Sequence, residues 1–105
     1  MTDSRRKGKR TENELVQALR LIFPAARRNL DQCRESSGRD IDGTPGLCVQ
    51  LKSGKAPSWR KALDEASDSA HAGEIAAGIT REDRGGFIVH LRLRDFLAVR
   101  QWGEL

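Results

Sequence analysis

Three side chains in one short stretch have types and spacing that could do chemistry. Asp40, Gln50 and Lys52 lie in Gly38-Arg39-Asp40-Ile41-Asp42-Gly43-Thr44-Pro45-Gly46-Leu47-Cys48-Val49-Gln50-Leu51-Lys52. A strand has period two, so Cys48, Gln50 and Lys52 share one face, while Val49 and Leu51 point to the other. Asp40 stands just before a turn signal, Gly43-Thr44-Pro45-Gly46. If that turn folds the chain into a hairpin, Asp40 lies beside Gln50 and Lys52. An acid, an amide carbonyl and an ammonium then converge where a divalent metal and a phosphate could meet. Each residue also has a plainer account. A lone Lys at a strand end is usually solvated, and Asp40 and Asp42 could be turn-forming acids before Gly43. Asp42 stands as an alternative ligand to Asp40.

The elements that must position these residues follow from pattern. Thr11 is a good N-cap with Glu14 three residues on, so a helix is expected over 11–22, with Leu15, Ala18, Leu19 and Ile22 as its apolar stripe. Glu12 falls in its first turn, where an acid suits the helix dipole. Pro24 stops it. A poorly alternating edge strand is expected over 26–34, a short strand over 40–42, and a strand over 47–53. Ser58 caps a second helix reaching about Ala72, with Trp59, Ala62, Leu63, Ala66 and Ala70 inward and Gly73 marking its end. A strand over 74–80, a charged turn over 81–86, a strand over 87–93 with Phe87, Val89 and Leu91 on one face, and a short closing helix over 94–100 complete the chain. The order is α-β-β-β-α-β-β-α: an α/β domain with a central mixed sheet flanked by helices.

With 105 residues the chain fits one domain, and 37% hydrophobic against 32% charged residues allow only a small core. Such a core is often completed by a second copy. The net charge of +4 favours a polyanion, though weakly by itself. Arg5, Arg6, Lys7, Lys9 and Arg10 make residues 1–10 a flexible basic arm, either a solubilising tail or a phosphate-contacting one. The two cysteines, Cys33 and Cys48, show no metal spacing and read as reduced core residues. No apolar run reaches the length of a membrane span and no signal-peptide core is present, so a soluble cytoplasmic protein is expected. His71 and His90 have no partner pattern, and Trp59 and Trp102 read as core or dimer-contact residues rather than base-stacking ones.

Taken together, a helix-borne acid, an Asp, Gln-x-Lys on a strand and a following helix resemble the PD-(D/E)XK nuclease superfamily. Lys7-Gly8-Lys9-Arg10-Thr11-Glu12-Asn13-Glu14-Leu15-Val16 is similar to the start of archaeal-type Holliday junction resolvases, and Asp-Ile-Asp-Gly-Thr-Pro at 40–45 is similar to small phage-encoded nucleases. The resemblance runs from about Lys7 to Phe96. It implies a restriction-endonuclease-like fold over 11–105 and a catalytic set of Glu12, Asp40, Gln50 and Lys52. It also implies Mg²⁺, or Mn²⁺ in its place, held by Glu12, Asp40, Gln50 and the main-chain carbonyl of Leu51. Gln50 stands where most members have Glu, which leaves fewer anionic ligands and weaker or single-ion metal binding.

The resemblance further implies DNA as partner, branched or four-way, and a homodimer in a prokaryotic or phage-infected cell. Arg6, Lys7, Lys9, Arg10, Arg34, Ser36, Ser37 and Lys55 are the candidate DNA contacts. Ser36, Ser37 and Arg34 read equally as a flexible loop. The expected function is hydrolysis of phosphodiester bonds by a structure-selective endonuclease, with a Holliday junction as the expected substrate. The alternatives are a weak or inactive nuclease-fold DNA-binding module and, from another class, a protein-interaction domain whose charges are only surface.

Overall fold

The structure, a computed structural model, describes residues 2–29 and 39–103, with side chains over 9–29 and 39–100. Its elements are α1 (Thr2–Leu19), β1 (Arg27–Arg28), β2 (Ile41–Asp42), β3 (Leu47–Gly54), α2 (Trp59–Ser69), β4 (Ile75–Glu82), β5 (Phe87–His90) and α3 (Leu93–Gly103). The five strands form one mixed sheet in the order β1-β2-β3-β4-β5. β1, β2 and β3 run antiparallel in turn, β3 and β4 pair in parallel over eight residue pairs, and β4 and β5 are antiparallel. A parallel pair needs a crossover, and α2 supplies it. The expected α/β order and the mixed sheet with helices are therefore present.

Two apolar clusters hold the layers together. On one face Leu15 and Val16 of α1 meet Ala26, Ile41, Val49, Ala77 and Ile79, with Leu19, Leu51, Phe87 and Leu91 packed around them. Leu63 and Ala66 of α2 meet Ala76 on the other. β4 is buried from Ile75 to Thr80, as a central strand covered on both faces must be. Gly78 is what lets α2 come so close. A Cβ there would sit 2.5 Å from the Leu63 amide nitrogen and 2.8 Å from the Ala62 carbonyl carbon.

The β2–β3 turn is built as its sequence asks. The Leu47 N–H donates to the Thr44 carbonyl at 2.9 Å across Pro45 and Gly46, and Gly46 has φ +86°. Pro at the second position and a left-handed Gly at the third describe a type II turn.

Several boundaries differ from expectation. α1 starts at Thr2, so Thr11 lies inside the helix rather than capping it. Arg and Lys are good helix formers, and a single Gly8 costs only about 1 kcal/mol, so the basic stretch can continue the helix. At its other end α1 stops at Leu19 and closes through i→i+3 bonds, Leu21 N–H to Ala18 and Ile22 N–H to Leu19. Ile22 and Ala18 are exposed; Val16, not they, completes the inner stripe.

α2 ends at Ser69 rather than Ala72, with Gly73 at φ +87° in the turn beyond it. The Ser58 cap is present, its Oγ accepting from the Lys61 N–H at 3.1 Å. Ala62, Leu63 and Ala66 are buried as expected, but Trp59 is 47% exposed and belongs to neither cluster. β1 is an edge strand of two residues within the strand expected over 26–34; residues 30–34 of that strand, Cys33 among them, lie outside the described residues, as does the Trp102 side chain. Cys48 is free and buried, and burial pushes its thiol pKa up. β5 ends at His90, short of Leu93, and Val89 is exposed. α3 presents Leu93, Phe96 and Leu97 to solvent instead of closing on the sheet. Among the described residues no helix is long and apolar enough to cross a membrane.

Candidate functional site

The hairpin places Asp40 opposite Gln50. Ile41 pairs with Val49, so the preceding Asp40 meets the following Gln50, and the Asp40 N–H donates to the Val49 carbonyl at 3.1 Å. Asp40 Oδ2 accepts the Leu51 N–H at 2.7 Å, which pins the carboxylate against β3. Gln50 is 4% exposed and neighbours Gly78, while Lys52 neighbours Thr80. Asp42 pairs with Arg27 at the far strand.

Glu12 approaches from α1. Its Oε1 accepts from Arg28 Nε at 3.0 Å, both side chains being mostly covered. Lys52 Nζ lies 3.0 Å from Glu65 Oε1 of α2, across the half-open side of the sheet. Burial pushes the Asp40 carboxyl up to about 6, against the lowering effect of the Leu51 N–H; Glu12 and Glu65 raise it further and Lys52 lowers it. Glu12, Lys52 and Glu65 thus lie near enough to act on the charge of Asp40.

Two members of this group, Arg28 and Glu65, are absent from the sequence-based set. Glu65 had a signal. It stands three residues after Ala62 and one before Ala66, so it borders the face of α2 that covers the sheet. Arg28 had only the alternation of a two-residue strand, too short to read.

The donors are hard oxygens, the type Mg²⁺ takes, and the Asp40 carboxyl is raised chiefly by its burial, with the charges of Glu12 and Glu65 adding to it. Glu12 and Glu65, however, are each held by a cation of the chain, Arg28 and Lys52. Among the described residues no three His, Cys, Asp or Glu side chains are gathered as a metal cage.

Of the expected DNA contacts, Lys9, Arg10 and Lys55 are exposed. Lys9 and Arg10 lie on α1 and Lys55 in the loop between β3 and α2. Arg34, Ser36 and Ser37, and the side chains of Arg6 and Lys7, lie outside the described residues. Arg10, Thr11, Glu14, Ser53, Arg81, Glu82, Asp83 and Arg84 line a cleft in which acids offset arginines, and Arg81 is already paired with Glu14. His71 is exposed on the turn after α2, and His90 Nε2 lies 2.8 Å from Thr80 Oγ1.

A pH dependence of stability follows from Asp40. Its folded pKa of about 6 exceeds the ordinary 3.8, so the folded state binds the proton more tightly than the unfolded chain does. Below pH 3.8 ionisation costs the fold nothing; above about 6 the cost is fully present. In EDTA, the Asp40 contribution should therefore lower unfolding free energy by about 2–3 kcal/mol as pH rises between these values. Urea titrations at pH 4 and pH 7 read this directly. A wild type and Asp40→Asn with the same pH slope would refute it.

Compared with protein-family models, curated proteins and solved structures, the chain matches none.

Proposed function

We propose that this chain is a metal-dependent endonuclease of the PD-(D/E)XK type that cuts branched DNA. The observation that carries the reading is the grouping of Asp40 and Lys52 on adjoining strands with Glu12 reaching in from α1, in the order helix, hairpin, lysine strand, crossover helix. Three separate segments bring acids and a lysine to one place, and neither core cluster needs them there.

Phosphodiester hydrolysis needs an activated water and stabilisation of charge that grows on a pentavalent phosphate. A bound Mg²⁺ would supply water activation and neutralise phosphate oxygens. Asp40 and Glu12, with the Gln50 amide oxygen and the Leu51 main-chain carbonyl, would hold it. Asp40 is fixed for the task by the Leu51 N–H. Lys52 would stabilise the negative charge developing on the phosphate or orient the water. Glu65 answers the anomaly at Gln50: the amide leaves the site one anion short, and α2 brings an acid to Lys52 from the other side.

The acid at 65 in place of the acid at 50 gives a direct test. Glu65→Gln should cut Mg²⁺-dependent cleavage of a four-way junction by about 10²-fold. Gln50→Glu alone should leave activity equal or higher, and on the Glu65→Gln background it should restore most of the loss. A Glu65→Gln enzyme as active as wild type would remove Glu65 from the site.

The reading includes a homodimer that presents two sites to two strands. Its support is the apolar surface of β5 and α3, where Val89, Leu93, Phe96 and Leu97 are each more than half exposed. Single exposed apolar side chains are ordinary; a run of them along one edge is what an interface looks like. Sedimentation equilibrium decides it, and the mass of one 11.7 kDa chain across the concentration range would strike the pair from the reading.

A second reading is a nuclease-fold DNA-binding module without cleavage. The ion pairs Glu12–Arg28 and Glu65–Lys52 favour it, since they satisfy within the chain the groups a metal and a phosphate would use. Junction binding with no cleavage in Mg²⁺ or Mn²⁺ would select it.

A further inference from the structure

Trp59 is a large aromatic residue left half in solvent. An indole is a large apolar group that cores and interfaces normally bury. Here it opens α2 with 47% of its surface in solvent. Yet it is not loosely placed. Its ring stacks on the His90 imidazole, with centroids 5.9 Å apart and planes 27° from parallel. His90 is in turn held by Thr80 Oγ1 at 2.8 Å, and Thr80 is buried. The indole is thus pinned by a ring that is itself anchored to the central strand.

Its surroundings are cationic. The Arg60 guanidinium carbon lies 5.0 Å from the Trp59 ring centroid. Lys55, Arg60 and Lys61 are exposed, and none makes an ion pair among the described residues. The first turn of α2 carries no acid, although acids are what a helix N-terminus favours. The site also adjoins the catalytic candidates. Thr80, which anchors His90, is the registered neighbour of Lys52 across the β3–β4 pair.

We propose that Trp59, backed by His90 and flanked by Arg60, Lys55 and Lys61, is a stacking site for an unpaired nucleobase, its adjoining phosphates taken by the three cations. An anchored indole with the Arg60 guanidinium over its ring, beside Lys55 and Lys61 that make no ion pair among the described residues, matches a planar π-system carried on a polyanion once the base lies on that guanidinium or takes its place. Single-stranded nucleic acid offers that combination, because inside a duplex the base faces are already stacked on each other. Arg60 adds a second planar group on which a base can lie. The inference rests on the reading of this side of the sheet as a DNA site and narrows it. The strand bound beside Lys52 has at least one base out of its stack, as at a branch point or a flap.

The test uses the full chain in EDTA, so that no cleavage intervenes, on a Trp102→Phe background that leaves Trp59 as the only indole. Titration with a single-stranded oligo(dT) should quench Trp59 emission saturably, and a blunt duplex of the same length should quench it much less. Trp59→Ala should weaken single-strand binding about tenfold by anisotropy while leaving duplex binding little changed, and Trp59→Phe should recover most of the loss. Circular dichroism melts confirm that each variant is folded. Equal quenching by duplex and single strand, or unchanged single-strand affinity of Trp59→Ala, would overturn the proposal. So would an emission shift that follows protein concentration without DNA, since it would assign Trp59 to a protein contact. Cleavage is scored separately. A protein that stacks oligo(dT) on Trp59 but never cuts keeps this inference and loses the nuclease reading.

Discussion

Lys52→Ala should lower metal-dependent cleavage by about 10²–10³-fold, the loss expected when one group that meets developing charge is removed from a site partly screened from water. Asp40→Asn should lose at least as much. The amide oxygen can still accept the Leu51 N–H, so the hairpin geometry survives, but the charge that would hold a cation is gone. The two variants differ in a second way that identifies their roles. Asp40→Asn removes the buried carboxylate and should raise stability at neutral pH in EDTA, because ionised Asp40 is a cost to the fold. Lys52→Ala removes a partly exposed partner of Glu65 and should change stability little, since exposed ion pairs contribute about 0–1 kcal/mol. A more stable, inactive Asp40→Asn is the signature of a group kept for chemistry. Cleavage that survives either substitution would sink the assignment of the site.

Gly78→Ala should be the most damaging small change to the fold among positions free of a left-handed backbone. The added Cβ would meet backbone atoms of Ala62 and Leu63 at 2.5–2.8 Å, and backbone cannot swing aside as a flexible side chain can. α2 would have to lift from β4, which also moves Glu65 away from Lys52. Overpacking of this kind costs about 1–3 kcal/mol, which for a domain of this size lowers the melting temperature by roughly 5–20 °C. Gly86→Ala is the control, because nothing lies within 4 Å of its added Cβ. Thermal melts that show the two variants equally stable would mean that α2 does not rest on Gly78.

What could be read from the sequence, and what could not, divides along physical lines. β3, β4 and α2 were legible because each carries a strong local signal: alternation next to a Pro-Gly turn, an apolar run, and a Ser cap before an apolar stripe. The convergence of Asp40 with Gln50 follows from the same turn. The start of α1 was not legible, because the basic composition of residues 2–10 suggests an arm while the intrinsic preferences of Arg and Lys allow a helix. The inner stripe of α1 was misphased by taking Ala18 and Ile22 for core. The chain leaves helical geometry after Leu19, so Ile22 no longer follows the helical period.

Site residues divide the same way. Glu12, Asp40 and Lys52 stand at spacings a motif can name. Arg28 and Glu65 join them only through tertiary packing, one from an edge strand of two residues and one from the margin of a helix stripe. By type, Trp59 reads as a core or contact residue. At the first position of α2 it is 47% exposed, its ring stacked on His90 rather than packed into a cluster. The exposed Phe96 and Leu97 of α3 carry the same lesson: apolar spacing indicates a helix face but not what covers it.

The most direct measurement of nuclease function is incubation of the purified chain with a four-way junction and with a duplex of the same arm sequence, each in Mg²⁺ and in EDTA. A metal-dependent junction nuclease should cleave the junction in Mg²⁺, cleave the duplex much less, and cleave neither in EDTA. Cleavage that persists in EDTA, or tight junction binding with no cleavage in Mg²⁺ or Mn²⁺, would contradict that function.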